Sequence, residues 1–222
     1  IMGAEYAGKY PFGDWIVKEA FPETLKNLEE KRYYHINSPY GGQWANDPRE
    51  GDSHTYENVW EYPFKDYPNF LSESIRTAPP AKYSLEKIIK GPVWPENYDG
   101  RVTGPDQGIM PENWRQRIHP FSDGERYSGK YWEYYDPVDA DSMLYAFGAS
   151  YAGAIMEIGG QVRRGSREPE DFTRRSKGYM ACKLLDTWPK VYCALIDYFQ
   201  EGHMPYYATK RMLEPVMLTF AK

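Results

Sequence analysis

The one hundred residues from 37 to 136 constrain the fold more than any other part of this 222-residue chain. They contain 11 Pro, 9 Gly and 18 aromatic residues. Proline removes a backbone donor and blocks helix interiors and central strands, and glycine weakens both kinds of element. The composition therefore predicts turns and extended pieces that single aromatic side chains hold against a surface.

A Pro-Glu-Asn-aromatic sequence occurs twice in this region, at 95–98 and at 111–114. Proline fixes φ and asparagine accepts turn conformations, so each copy suits a tight turn. The two copies could form two equivalent ligand-contact loops. We favour a reused turn whose aromatic residue anchors the chain, because no longer repeat surrounds either copy.

The flanking segments, 1–36 and 137–222, have helical patterns. The sequence predicts an N-terminal helix that starts near 21–25, and a short helix in the middle region that Ser84 caps and Gly91 ends. It predicts four C-terminal helices, at 138–164, 169–187, 189–202 and 208–213. The apolar stripe of the first of these comprises Leu144, Phe147, Tyr151, Ile155, Ile158 and Val162. The expected fold class is mainly α, with a helical C-terminal part and an extended Pro/Gly/aromatic-rich middle region.

The helix predicted at 138–164 raises the question of a membrane span. Residues 142–160 carry only one charge, Glu157, but Gly, Ala, Ser and Tyr dilute their hydrophobicity below that of a typical spanning helix. Pairs of small residues, Gly148 with Ala152 and Ala149 with Gly153, favour close packing against a second helix instead. Glu157 could carry a proton if it were buried, but a partly exposed or paired carboxylate is the simpler interpretation.

Candidate catalytic and metal-binding residues are few. His119, with Asp123 or Glu125, could supply acid–base chemistry, whereas an ordinary polar loop histidine explains it equally simply. The other histidines, His35, His54 and His203, have no ligand spacing. Asp136, Asp139 and Asp141 could bind a hard cation, but helix capping accounts for the first two. We expect no catalytic residue, metal or cofactor.

Charge and cysteine content exclude several classes of protein. The net charge of −5 argues against general nucleic-acid binding, and nucleotide-binding and nucleophile motifs are absent from the sequence. The only cysteines, Cys182 and Cys193, are expected to be buried thiols in a reducing compartment. The first residues lack the pattern of a signal peptide. The stretch 162–177 holds six basic and three acidic residues, and it fits either an anionic ligand or a helical turn laced with ion pairs.

The segment 109–137, IMPENWRQRIHPFSDGERYSGKYWEYYDP, resembles accessory subunits of mitochondrial respiratory-chain complexes. The resemblance rests on Pro111-Glu112-Asn113-Trp114 and on the run from Trp132 to Pro137. It implies a non-catalytic, supernumerary subunit with extended arms in a large multi-subunit membrane assembly. The implied localisation is mitochondrial and membrane-associated, with the cytoplasm as the alternative.

The prediction is therefore a structural subunit whose partners are other protein subunits and, through its basic residues, anionic lipid headgroups. Buried aromatic rings remove large areas from water, so a few can hold an irregular arm on a partner. The expected partner contacts are Trp44, Trp60, Trp94, Trp114, Trp132, Arg163, Arg164, Arg174 and Arg175. The alternatives are a soluble hydrolase or lyase that depends on His119, and a module that binds ligands or carbohydrates on exposed aromatic rings.

Overall fold

The computed structural model describes part of the chain. The described residues are 14–28, 32–44, 46–55, 68–74, 79–96, 98, 111–115, 117, 138–164 and 176–219. Several residues singled out in the sequence lie outside them, namely Trp60, Trp132, Arg174, Arg175, His119, Asp123, Glu125 and Asp136.

Two short parallel strands form the sheet of the described part. Strand β1, Ser53–Thr55, pairs with β2, Leu71–Ser74, and this register places His54 opposite Glu73. Leu71 also forms a parallel bridge with Tyr179 on its other side. Three backbone segments therefore run side by side in one direction, which requires long crossover connections between them.

The longest helix of the described residues lies in one of these crossovers, between β2 and Tyr179. The helices are α1 (Phe21–Lys26), which continues a π-helical turn at Ile16–Ala20, α2 (Lys82–Ile88), α3 (Glu112–Arg115), α4 (Ala140–Arg164) and α5 (Met204–Met212). The apolar stripe predicted for α4 is confirmed, because its residues from Phe147 to Val162 are buried and Leu144 packs on the core. Asp139 caps α4, since its Oδ1 accepts the Ser142 N–H at 2.7 Å.

The expectation of helices at 169–187 and 189–202 is wrong wherever the structure describes those residues. This part of the chain is extended and irregular, with a parallel bridge between Leu185 and Ile196. Almost no solvent reaches four of its residues, Val191, Cys193, Ala194 and Leu195. A short apolar run buried on both faces has no helical or strand periodicity, so its sequence alone could not separate a buried strand from a helix. The mainly α fold class is wrong for the same reason.

Helix α5 lies beside α4 and runs in the same direction. A Cβ added at Gly148 would come within 3.3 Å of Met204 Cβ, and one added at Gly159 within 2.1 Å of Met212 Cγ. Close approach at small residues of α4 was predicted, but the tighter contact is at Gly159, outside the predicted pairs. Among the described residues, no helix has both the length and the apolarity needed to cross a bilayer.

The described part of the proline-rich region packs against α4 of the same chain. Its two Pro-Glu-Asn-aromatic sequences both form turns, with Tyr98 N–H bonded to Pro95 O and Trp114 N–H bonded to Pro111 O. Trp114 is fully buried and donates its indole N–H to Val93 O at 2.6 Å. The rest of this core comprises Leu85, Ile88, Ile89, Val93, Ala140, Met143, Ala146, Phe147 and Val191. These described aromatic anchors therefore serve the chain's own core.

The start of α2 differs from the sequence prediction, whereas its C-terminal glycine agrees with it. Ala81 occupies its N-cap position and Ser84 is buried inside the helix. Gly91, at φ 87°, adopts the left-handed conformation just beyond the helix, as a chain-reversing glycine does.

Candidate functional site

A row of polar side chains follows the neighbouring parallel segments. His54 lies in β1, Glu73 faces it from β2, and Cys182 comes three residues after the bridge at Tyr179. Carboxyl ends of parallel strands meet at one edge of a sheet, which is where α/β proteins assemble their binding and catalytic groups. This edge is the candidate functional site.

Asp52 forms the floor of the site immediately before β1. Its carboxylate accepts hydrogen bonds from His35 Nε2 at 2.7 Å, Tyr40 N–H at 2.8 Å, Ser38 Oγ at 2.5 Å and Ser72 Oγ. Burial acts to raise the pKa of Asp52, but these hydrogen bonds outweigh it and hold the pKa below its usual value. Asp52 is therefore a fixed, buried negative charge.

This network sets the tautomer of His54. The Ser38 hydroxyl has one proton, which it donates to Asp52, so its oxygen accepts from His54 Nε2 at 3.1 Å. His54 Nδ1 then faces Glu73 Oε2 at 3.9 Å. A line of groups thus runs from Asp52 through Ser38 and His54 to Glu73. Such a line fixes the orientation of the imidazole beside the Glu73 carboxylate.

Glu73 is the carboxylate of this row that reaches solvent. Its side chain is 27% exposed, whereas the Asp52 side chain is 6% exposed. Its neighbour on the third segment is the Cys182 thiol, which is hydrogen-bonded to it. A partly exposed carboxylate with one thiol neighbour and an open face suits attack on, or proton transfer with, a bound molecule.

The two thiols beside Glu73 are in contact and unbridged. Cys182 is partly exposed, Cys193 is buried, and the two are hydrogen-bonded to each other. The hydrogen bond to Cys182, together with burial, raises the pKa of Cys193. Cys193 is therefore a protonated donor under Cys182. The sequence predicted two buried thiols, and this is right for Cys193 but not for Cys182, which is partly exposed.

A cluster of three charged residues lies beside the Tyr192 ring. The Lys183 and Lys190 ammonium groups lie 4.4 and 4.8 Å from the centre of its ring, and 3.8 and 3.5 Å from the buried Asp186 Oδ1. Burial raises the pKa of Asp186 and lowers that of Lys190. These charges hold the Tyr192 ring in one position.

The structure places the residues predicted to contact partners in different surroundings. Trp114 is in the core, Trp94 packs against that core and stacks edge-on with Tyr98, and Trp44 is exposed. Arg163 donates to the carbonyls of residues 212, 214 and 215 beyond α5, and Arg164 is half-buried. Partner contacts of these tryptophans and arginines stay predictions.

Sequence reasoning missed Glu73 and Asp52. No motif surrounds Glu73, since Leu71–Ser74 is only four residues long and has one apolar residue followed by three polar ones, which gives no strand alternation. The sequence offered one clue: two short segments, at 52–54 and around 73, each contain an acidic residue or a histidine. Among the described residues there is no cluster of His, Cys, Asp and Glu that could hold a metal ion.

Comparisons with known proteins identify relatives of this chain. No known protein-family profile matches it. Among curated proteins, β-mannosidase B of Aspergillus niger is 26% identical over 211 residues, which cover 91% of this chain and 23% of that protein. β-Mannosidase B of Emericella nidulans is 26% identical over 206 residues, which cover 92% and 23% respectively. The chain therefore spans less than a quarter of the length of these curated relatives.

Solved structures show the same likeness at the level of the fold. The β-D-mannosidase of Dictyoglomus thermophilum matches with a TM-score of 0.72 and 22% identity, over 92% of this chain and 24% of that one. The exo-β-D-glucosaminidase CsxA matches with a TM-score of 0.54 and 16% identity, over 78% of this chain and 19% of that one. The fold of this chain is thus that of a portion of these glycosidases.

These matches correct the functional prediction. The resemblance to accessory subunits of respiratory-chain complexes is wrong, because the similar proteins are glycosidases. The expectations of a non-catalytic structural subunit and of a mitochondrial assembly are wrong on the same finding. The alternative of an enzyme of the hydrolase class agrees better with the relatives. Where the structure describes that region, Trp114 and Trp94 serve internal packing.

Proposed function

We propose that this chain forms part of the active site of a glycoside hydrolase that acts on β-mannosides, with Glu73 as a catalytic carboxylate. The position of Glu73 carries the proposal. It lies at the carboxyl edge of parallel strands, between His54 and Cys182, with its side chain open to solvent.

Hydrolysis of a glycosidic bond generally uses two carboxyl groups with different roles. One is protonated and donates to the leaving oxygen, and the other is ionised and acts as nucleophile or as base. We assign Glu73 the role of nucleophile or base, because its side chain reaches solvent at the strand edge, opposite His54.

Asp52 does not fit the role of the acid. Four hydrogen bonds keep its pKa low, and it is too deeply buried to reach a leaving group. We therefore place Asp52 as a positioning residue that acts through Ser38 on His54. This chain aligns with only 23% of the relative's length, and we expect the acid outside the described residues.

The names of the relatives support the choice of substrate. Both curated relatives reported above are β-mannosidases, as is the solved structure with a TM-score of 0.72.

The test is a substrate panel with the protein encoded by the complete gene. We expect hydrolysis of 4-nitrophenyl β-D-mannoside, with lower kcat/KM on the corresponding β-D-glucoside, β-D-glucosaminide and α-D-mannoside. Preference for another β-glycoside would overturn the substrate assignment. Absence of hydrolysis across the panel, by folded protein, would overturn the proposed function.

A further inference from the structure

We propose that the exposed face of Trp44 is a sugar-binding platform for a unit of an oligomannoside beyond the one that is cleaved at Glu73. This assignment rests on the proposed function and deepens it, because it makes chains of linked sugars the preferred substrates. It is carried by a loop, 40–51, that fixes Trp44 in place and joins it to the floor of the site.

Asp47 holds the loop together from inside. Its buried carboxylate accepts from the backbone N–H of Gln43 at 3.0 Å and of Arg49 at 3.1 Å, and from Arg49 Nε and Nη2 at 2.9 and 2.8 Å. The hydrogen bonds from Arg49 are the main reason that the pKa of Asp47 lies far below its usual value. A bidentate pair of this kind gives the Arg49 guanidinium a single orientation.

Arg49 in turn holds the Trp44 ring. The guanidinium carbon lies 4.7 Å from the centre of the indole, so one ring face is covered by a planar cation. Trp44 is nevertheless 54% exposed. A rigid aromatic ring that is supported from behind and open in front costs little entropy when a ligand binds to it.

The loop is fastened to the same groups that orient His54 and Glu73. Asn46 Oδ1 accepts the His54 backbone N–H at 2.7 Å, and Asp52 accepts the Tyr40 N–H at 2.8 Å. Trp44 is two residues from Asn46, so their Cα atoms are at most about 7 Å apart. The Trp44 loop is therefore tied directly to the strand that carries His54.

The chemistry of the ring selects the ligand. A pyranose presents a face of C–H groups, which stack on an aromatic ring and lose contact with water, while its hydroxyls remain available to polar neighbours. The exposed rings of Tyr33 and Tyr40 flank His35, with ring centres 6.1 Å away, next to the Asp52 carboxylate that His35 contacts.

The experiment compares two substrates and three variants. Trp44→Ala is expected to lower kcat/KM on β-1,4-mannotriose by about tenfold, as the loss of one stacking contact implies, and to leave methyl β-D-mannoside within about twofold. Trp44→Phe should restore most of the activity on mannotriose. Trp15→Ala, which removes an indole of 61% exposure on the N-terminal helical segment, is the control and should behave as wild type on both substrates.

Each outcome decides the assignment. An equal loss of activity on both substrates would show that Trp44 only supports the fold. Unchanged activity on mannotriose would show that Trp44 does not bind this substrate. Either result overturns the assignment of Trp44 as a sugar-binding platform. Wild-type protein that hydrolyses neither substrate would overturn the proposed function itself, and with it this assignment. Thermal unfolding of all three variants, measured in parallel, separates binding from stability.

Discussion

Asp52 illustrates how single residues set the chemistry of this site. A buried carboxylate is costly unless donors replace the lost water, and here His35, Ser38, Tyr40 and Ser72 supply them. The same bonds leave Ser38 with only an acceptor to offer His54. None of these pairings is visible in the sequence, because residues 38, 52 and 72 are far apart in the chain and nothing marks them as neighbours.

Replacing Asp52 with Asn is expected to lower the free energy of unfolding by about 1 to 3 kcal/mol at pH 7, because an amide cannot accept all four donors. Since the pKa of Asp52 is lowered in the folded state, its stabilising effect is full above the unfolded pKa of about 3.9 and is lost as the pH falls through the folded value. The deficit of the variant should therefore shrink below pH 4 in urea titrations.

Asp141→Asn is the matched control for this prediction. Asp141 is an exposed carboxylate that pairs with Lys82 at 2.7 Å on the surface, where an ion pair is worth about 1 kcal/mol or less. A deficit of Asp52→Asn no larger than that of Asp141→Asn, or one that grows as the pH falls, would contradict this account of the network.

At the scale of elements, the sequence predicts helices that have a clear periodicity and fails on buried strands. The stripe of α4 repeats every three or four residues and gives its span within two residues at the N-terminus, where Asp139 rather than Asp136 is the cap. The run 191–195 has no such period, and β1 and β2 are only three and four residues long. Pairing between distant segments decides those elements, and one sequence does not show it.

The contact between α4 and α5 yields the prediction for this scale. Gly159→Ala should lower stability by about 1 to 2 kcal/mol, because the new methyl group meets the buried Met212 side chain and this overpacking exceeds the helix propensity that alanine gains. Gly148→Ala, where the nearest atom is 3.3 Å away, should be close to neutral. Denaturant midpoints compare the pair, and an equal or larger loss for Gly148→Ala would contradict this packing.

At the scale of the whole molecule, the proline-rich region and the candidate site are connected through helix α4. Trp114, Val93 and α2 pack on α4, and α4 connects β2 to the segment that carries Cys182. Among the described residues, the turns at Pro95 and Pro111 lie over the chain's own helical core and not over another protein. Composition alone could not distinguish an arm on a partner protein from a segment packed on its own chain. Both arrangements bury aromatic rings, and they differ only in which protein supplies the surface that covers the rings.

The central claim is that Glu73 is a catalytic carboxylate at this strand edge. Turnover of 4-nitrophenyl β-D-mannoside by Glu73→Gln tests it most directly. Glu157→Gln is the control, since Glu157 is also half-buried and accepts a hydrogen bond from the Gln161 amide on α4. We predict that Glu73→Gln lowers kcat about a thousandfold or more with an unchanged melting temperature, while Glu157→Gln stays within about twofold. Near-wild-type turnover by Glu73→Gln would contradict the account.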